Sequence, residues 1–189
     1  MQVLCLGMSV PDDAAPAGWN YNPSGWWQRL PITFVALIAG VLALYLAAYQ
    51  MHLVSTVWDP IFGDGSKRVL ESPVSKLFPM SDALLGAIAY LSECVTSVIG
   101  GVRRYRTMPW MVMIFGCTCV PFTFIAIALL LIMPTILKTW CFICVLTSIL
   151  SFILTPFAWD EVWASILEMR RMMRDGASFW QAFSGRAAR

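Results

Sequence analysis

A chain of 189 residues that is 59% hydrophobic and only 13% charged, with a mean hydropathy of +0.70, falls outside the ordinary soluble domains, in which about a quarter of residues are charged. A formal charge of +2 from dispersed basic residues argues against a nucleic-acid partner. The composition predicts an all-α integral membrane protein whose first partner is the lipid bilayer.

Residues 1–29 are expected to be a disordered, then interfacial, cytoplasmic segment. The first 21 lack a basic n-region, carry Asp12 and Asp13 and are rich in Ala, Pro and Gly, which argues against a signal peptide. Cys5 reads as an idle reduced thiol. Trp26, Trp27 and Arg29, just before Pro31, have the aromatic and basic pattern of a segment at headgroup level.

Apolar runs of about 20 residues, the length that crosses a bilayer, occupy 30–53, 83–100, 108–133 and 137–158. They predict a four-transmembrane-helix bundle over 30–158. His52, the single histidine, stands at the end of the first run and reads as a hydrogen-bonded interfacial residue before it reads as a base. Between 54 and 80, Asp59-Pro60 and Gly63-Asp64-Gly65 mark turns. Ser66 is then an N-cap candidate, and Leu70, Val74, Leu77 and Phe78 share one helical face. This predicts a short amphipathic outer helix, bent at Pro73, that lies over the bundle as a lid.

The second run opens on the cap Ser81-Asp82, followed by Gly86 and Ala87, small residues that let helices approach closely. Glu93 lies about 17 Å further along. A carboxylate at that depth is costly unless it is paired, protonated or facing a polar cavity, and structural pairing is preferred over proton handling. Gly100-Gly101 with Arg103, Arg104 and Arg106 predicts a tight turn into the third run, which Pro109 starts. Cys117 and Cys119 point about 200° apart on a helix and cannot bridge. With Cys94 they read as small buried hydrophobes, and the methionines as packing filler.

Nine of the thirteen Lys and Arg residues (Arg29, Arg103, Arg104, Arg106, Arg170, Arg171, Arg174, Arg186, Arg189) fall on one side of this arrangement. The positive-inside rule therefore predicts both termini in the cytoplasm of an inner or plasma membrane. The fourth run then begins outside, at Trp140-Cys141-Phe142-Ile143-Cys144, in the compartment that favours disulfides. A Cys-x-x-Cys at a helix mouth puts two sulfurs on neighbouring turns, where the helix dipole favours thiolate. It reads as a redox motif by default, although half of a zinc site or two small hydrophobes would look the same. Residues 159–189 carry Val162, Ile166 and Met169 on one face beside Arg170, Arg171 and Arg174. They predict a cytoplasmic amphipathic helix along the anionic inner surface, with a second short interfacial piece near Phe179 and Trp180.

The order of these parts, together with Ser66-Lys67-Arg68-Val69-Leu70, then Ser72, and Ser81-Asp82-Ala83-Leu84-Leu85-Gly86, resembles the vitamin K epoxide reductase family over roughly 30–158. The resemblance implies a membrane thiol oxidoreductase that passes electrons from a dithiol to a quinone, ubiquinone or menaquinone. It implies that Cys144 is the sulfur nearest the quinone and that Cys141 exchanges with an incoming thiol. Asp82 would hydrogen-bond a quinone oxygen, and Gly86, Leu70 and Ser72 would help form the quinone site.

One departure matters. The family commonly carries a second, shuttle cysteine pair in the outer segment; here Ser66 takes the place of one, Trp58 stands about eight residues earlier, and no cysteine lies between His52 and Tyr90. A serine hydroxyl takes no part in thiol–disulfide exchange. The chain therefore receives electrons directly from an extracytoplasmic thioredoxin-like partner or another reductant, or it is a non-catalytic quinone-binding or structural subunit of a larger membrane complex.

Overall fold

The computed structural model describes residues 15–16, 18–75 and 81–188, and every regular element among them is helical. Four long helices form the body: α1 (Trp26–Gln50), α3 (Asp82–Val98), α5 (Pro109–Ile132, continued by a π-turn over Met133–Leu137) and α6 (Phe142–Arg174). They close a ring in which α1 and α5 each pack against both α3 and α6. Short helices sit at the two ends: α2 (Gly65–Leu70) at the cysteine end, and α4 (Arg104–Thr107) and α7 (Phe179–Phe183) at the arginine-rich end.

Three stretches, Trp26–Gln50, Pro109–Leu137 and Phe142–Arg174, are long and apolar enough to cross a membrane. The fourth member of the ring, α3, has 17 residues and is about 26 Å long. The large side chains point outward: Phe34, Phe124 and Leu131 are more than 60% exposed. Helices that are apolar on all sides and expose their bulk are solvated by lipid rather than by water. Half of the central cluster is alanine. Ile32, Ala36, Ala39 and Ala43 of α1 meet Ala87 and Tyr90 of α3, Phe115 and Cys119 of α5, and Leu154 and Ala158 of α6. In lipid, close backbone approach replaces hydrophobic burial as the source of helix association. Gly116 shows how close that approach is, since a Cβ there would run into Val162 of α6.

The arginine-rich end is held by buried charge. Arg104 and Glu161 are both fully buried and pair through two contacts, Nε to Oε1 and Nη2 to Oε2, each 2.5 Å. Arg104 Nη1 also donates to the Ser97 and Ile99 carbonyls. Arg29 donates to the carbonyls of Ser97 at 2.6 Å, Ile99 at 2.9 Å and Gly100 at 2.8 Å. These are the acceptors that a helix C-terminus leaves without partners, so two guanidinium groups cap α3 while Gly100 turns the chain at φ +90°. Ser24 Oγ donates to Glu161 at 2.6 Å and Tyr21 to Asp160 at 2.7 Å. The last residues before α1 are thus docked on α6 and are not a loose tail; Cys5 lies outside the described residues.

Several boundaries differ from expectation, for local reasons. The first helix begins at Trp26, so both tryptophans lie on it. The outer helix is only six residues long, Asp64 rather than Ser66 is its N-cap, and it stops at Leu70. Pro73 disfavours helical backbone at Ser72, and so lies beyond the helix instead of bending it; Leu77 and Phe78 fall outside the described residues. The last long helix does not end near Ala158. It continues through Pro156 to Arg174, because Leu154 and Ala158, on either side of the proline, are both locked into the core. The amphipathic C-terminal stretch is therefore the second half of α6.

Candidate redox site

The π-turn ends α5 and Lys138 reverses the chain in a left-handed conformation, φ +54°, delivering Cys141 to the N-cap position of α6. Cys141 and Cys144 lie with Cα atoms 5.2 Å apart and sulfurs at disulfide distance. The sulfur of Cys141 accepts the Cys144 N–H at 3.2 Å. A thiolate there would be favoured by the helix N-terminus.

The two cysteines differ in access. Cys141 is 0% exposed, whereas Cys144 is half-buried. Cys141 belongs to an apolar cluster with Leu46, Tyr49, Val69, Leu70, Met133 and Ile143, against which Cys144, Ala83 and Leu137 pack. The sulfur assigned to an incoming thiol is thus the better covered of the two.

Val57, Val69 and Leu70 of the segment between α1 and α3 belong to or pack against that cluster, and the segment is tied to the start of α6 at several points. Trp58 meets Phe142 edge-on, with ring centroids 5.8 Å apart, and Phe62 stacks on Trp140 at 6.3 Å. Tyr45 accepts the Trp58 N–H at 3.0 Å. Gly65 lies so close to the carbonyl of Trp140 that an added Cβ would collide with it. Overpacking of this kind costs about 1–3 kcal/mol. Gly65→Ala should therefore lift α2 from α6 and speed maleimide labelling of Cys141 in the reduced protein by about tenfold or more; an unchanged labelling rate would show that α2 is not the cover.

Asp59 draws the segment together. Its Oδ1 accepts from the N–H groups of Phe62 at 2.8 Å and Ile61 at 3.2 Å. Its Oδ2 accepts from Ser66 Oγ at 2.6 Å, Ser66 N–H at 3.1 Å and Phe142 N–H at 3.4 Å. Burial opposes ionisation, but the Ser66 hydroxyl and these amides outweigh it and hold the carboxyl below its ordinary range.

Asp82 sits one step from the cluster. Ser81 caps α3 by accepting the Leu84 N–H at 3.2 Å, and Asp82 Oδ1 accepts from Gln50 Nε2 at 2.7 Å and from the Ala83 N–H at 2.8 Å. Gln50 is the hub of this corner: Nε2 also reaches the Leu70 carbonyl at 3.4 Å, and Oε1 accepts from Ser81 Oγ. Leu70 is buried in the cluster beside Cys141. Ser72 turns its hydroxyl to the Val69 carbonyl at 2.7 Å. A Cβ added at Gly86 would meet nothing within 4 Å, which leaves room on that face of α3.

Gln50 and Asp59 are the residues that sequence reasoning missed. Gln50 offered only the signal of an amide closing an apolar run, and Asp59-Pro60 read as a turn. His52 is exposed with φ +59°. Glu93 is 1% exposed, and its carboxyl has no hydrogen-bond or ion-pair partner among the described residues; Tyr90 and Cys119 are its polar neighbours. A cleft of about 260 Å³ lined by Arg106, Glu168, Arg171 and Asp175 lies at the other end of α6. Its charges balance, and it stands about 40 Å along the helix from the cysteines.

A helical membrane bundle with a vicinal cysteine pair closed at a helix N-terminus is the architecture of a membrane thiol–disulfide protein. The sequence model of the Vitamin K epoxide reductase family matches residues 30–159, and the chain belongs to that family. No curated protein matches the chain.

Proposed function

We propose that the protein is a membrane thiol–disulfide oxidoreductase that passes two electrons from a dithiol, through Cys141 and Cys144, to a quinone. The observation that carries this reading is the pair itself, with Cys144 the less buried residue, packed like Ala83 and Leu137 against the cluster that holds Cys141. The family match supports it. In the proposed topology α3 is a fourth span, both termini are cytoplasmic, and the cysteine end is extracytoplasmic, with α2 and the residues around it acting as a lid.

A quinone, ubiquinone or menaquinone, supplies a two-electron, two-proton acceptor. The chain's part is to hold it and to deliver the electrons. The open face beside Gly86 and the apolar cluster suit a flat ring. Asp82 was expected to hydrogen-bond a quinone oxygen, but a carboxylate only accepts. The donor at this corner is therefore the Gln50 amide, or Asp82 in its protonated form. Oxidation of the dithiol joins the two sulfurs and releases two electrons and two protons. Re-reduction needs a thiolate to attack the disulfide. With no outer cysteine to shuttle, the donor is an extracytoplasmic thioredoxin-like dithiol that reaches Cys141 once the outer segment lifts.

A second reading is favoured by the complete burial of Cys141: a non-catalytic subunit of a larger membrane complex. Quinone reduction by purified protein with dithiothreitol, above the protein-free rate, separates the two. A protein-dependent rate supports the oxidoreductase. No rate, together with recovery in a stoichiometric complex that keeps its function when both cysteines are replaced, supports the subunit.

A further inference from the structure

Asp59 belongs to the outer segment, yet its carboxylate closes on the first turn of α6. Phe142 directly follows Cys141, and its N–H, which Asp59 Oδ2 accepts at 3.4 Å, is the first of the N–H groups that the helix leaves without an internal partner. The Cys141 sulfur takes another, the Cys144 N–H. These same donors favour a thiolate on the reduced pair. The Asp59 carboxyl, held below the ordinary carboxylate range by its donors against the opposing effect of burial, is ionised at neutral pH. A fixed negative charge and two sulfurs therefore share one helix terminus.

The other charged groups of this corner are placed differently. Glu71 accepts from the Tyr49 hydroxyl at 2.7 Å, Asp82 is held by Gln50, and Lys138 lies in the turn before α6. Among the described residues, Asp59 is the one whose carboxylate reaches an N–H of the α6 terminus.

We propose that Asp59 is a positioning residue that sets the redox balance of the Cys141–Cys144 pair, holding it toward the disulfide and making the dithiol a stronger reductant. Its benefit to catalysis rests on the dithiol-to-quinone reading; the effect itself does not. Reduction by dithiothreitol breaks the Cys141–Cys144 bond and adds two electrons and two protons to the protein, while dithiothreitol loses the same and closes its own ring. Part of the dithiol then loses a proton to give a thiolate at the helix terminus. The Asp59 charge repels that thiolate and occupies one of its donors, so the reduced state is disfavoured.

The test uses full-length protein in detergent micelles. The dithiol-to-disulfide ratio is measured by alkylation and mass at graded ratios of reduced to oxidised dithiothreitol, alongside the pH dependence of alkylation. Asp59→Asn keeps the shape and removes the charge. Titrated at a pH above the alkylation midpoint, it should become easier to reduce by about tenfold, or about 30 mV, with that midpoint about one pH unit lower. Ser66→Ala removes a hydrogen bond from the same knot and keeps the charge, and should leave both midpoints nearly in place. If Asp59 only fastens the loop, both variants speed alkylation equally and neither midpoint moves, which overturns the proposal, as does a shift in the opposite direction. If Asp59→Asn does not fold, Asp59→Ser, also uncharged, is read in the same way. Because no quinone enters the titration, a shifted midpoint in a protein that never reduces quinone rejects the oxidoreductase reading and leaves this one standing.

Discussion

Cys144→Ala should reduce protein-dependent quinone reduction to background, a loss of at least about a thousandfold, because it removes the sulfur proposed to stand nearest the quinone, and Cys141, the thiol left at the α6 terminus, is fully buried. Cys94, Cys117 and Cys119 are free thiols, but Cys119 is buried in the body of the bundle and Cys117 faces outward from α5. None of them stands at the α6 terminus. Cys141→Ala should be equally inactive for a different reason: one remaining sulfur has no partner with which to close a disulfide, so a two-electron transfer is left incomplete. The two variants should differ in stability. Alanine at the fully buried Cys141 position also removes the sulfur that accepts the Cys144 N–H, whereas Cys144 is half-open. A thermal midpoint measured beside the rate separates lost chemistry from lost fold. Parental rates in both variants would remove the redox assignment.

Glu161→Ala should destabilise the protein by about 3–5 kcal/mol, the usual consequence of removing one partner of a buried ion pair. Arg104 would then be enclosed, at 0% exposure, with backbone carbonyls and the Phe115 ring to face, and Arg29 beside it. Ser24 and Arg104 meet at this carboxylate, and Arg104 carries the contact on to the last carbonyls of α3. Denaturation in mild detergent, followed by helical signal, should therefore show a large fall in midpoint. Glu168→Ala is the contrast. Its partner Arg106 is 52% exposed and the pair spans 3.1 Å, so solvent screening keeps the loss to about 1 kcal/mol or less. Equal losses in the two variants would show that the buried pair does not organise this end.

What the chain reveals before folding follows from range. Apolar runs are local, so three spanning helices and the body of a fourth helix were legible from composition, as were Ser81 as a cap and the cysteine pair at a helix mouth. Arg29 and Arg104 were legible only as charge. Each stands at the end of an apolar run, where an arginine ordinarily meets headgroups, and nothing near Arg104 in the chain announces Glu161, 57 residues away. Asp59 is hidden in the same way. Its neighbours explain it as a turn residue, and its reach to Phe142 spans 83 residues. The length of the outer helix was overestimated because Leu70, Val74, Leu77 and Phe78 keep helical spacing past Pro73, and spacing alone does not register that a proline constrains the residue before it. The role given to Cys141 was drawn from resemblance. Its burial comes in a cluster with residues distant in the chain, Tyr49, Val69, Leu70 and Met133 among them, which no motif records.

The most direct measurement is a single turnover without added thiol. Protein reduced beforehand, freed of reductant and mixed anaerobically with a quinone should yield one quinol per chain as Cys141 and Cys144, and no other thiols, disappear into a disulfide. Quinone that stays oxidised while both thiols remain titratable would contradict the account.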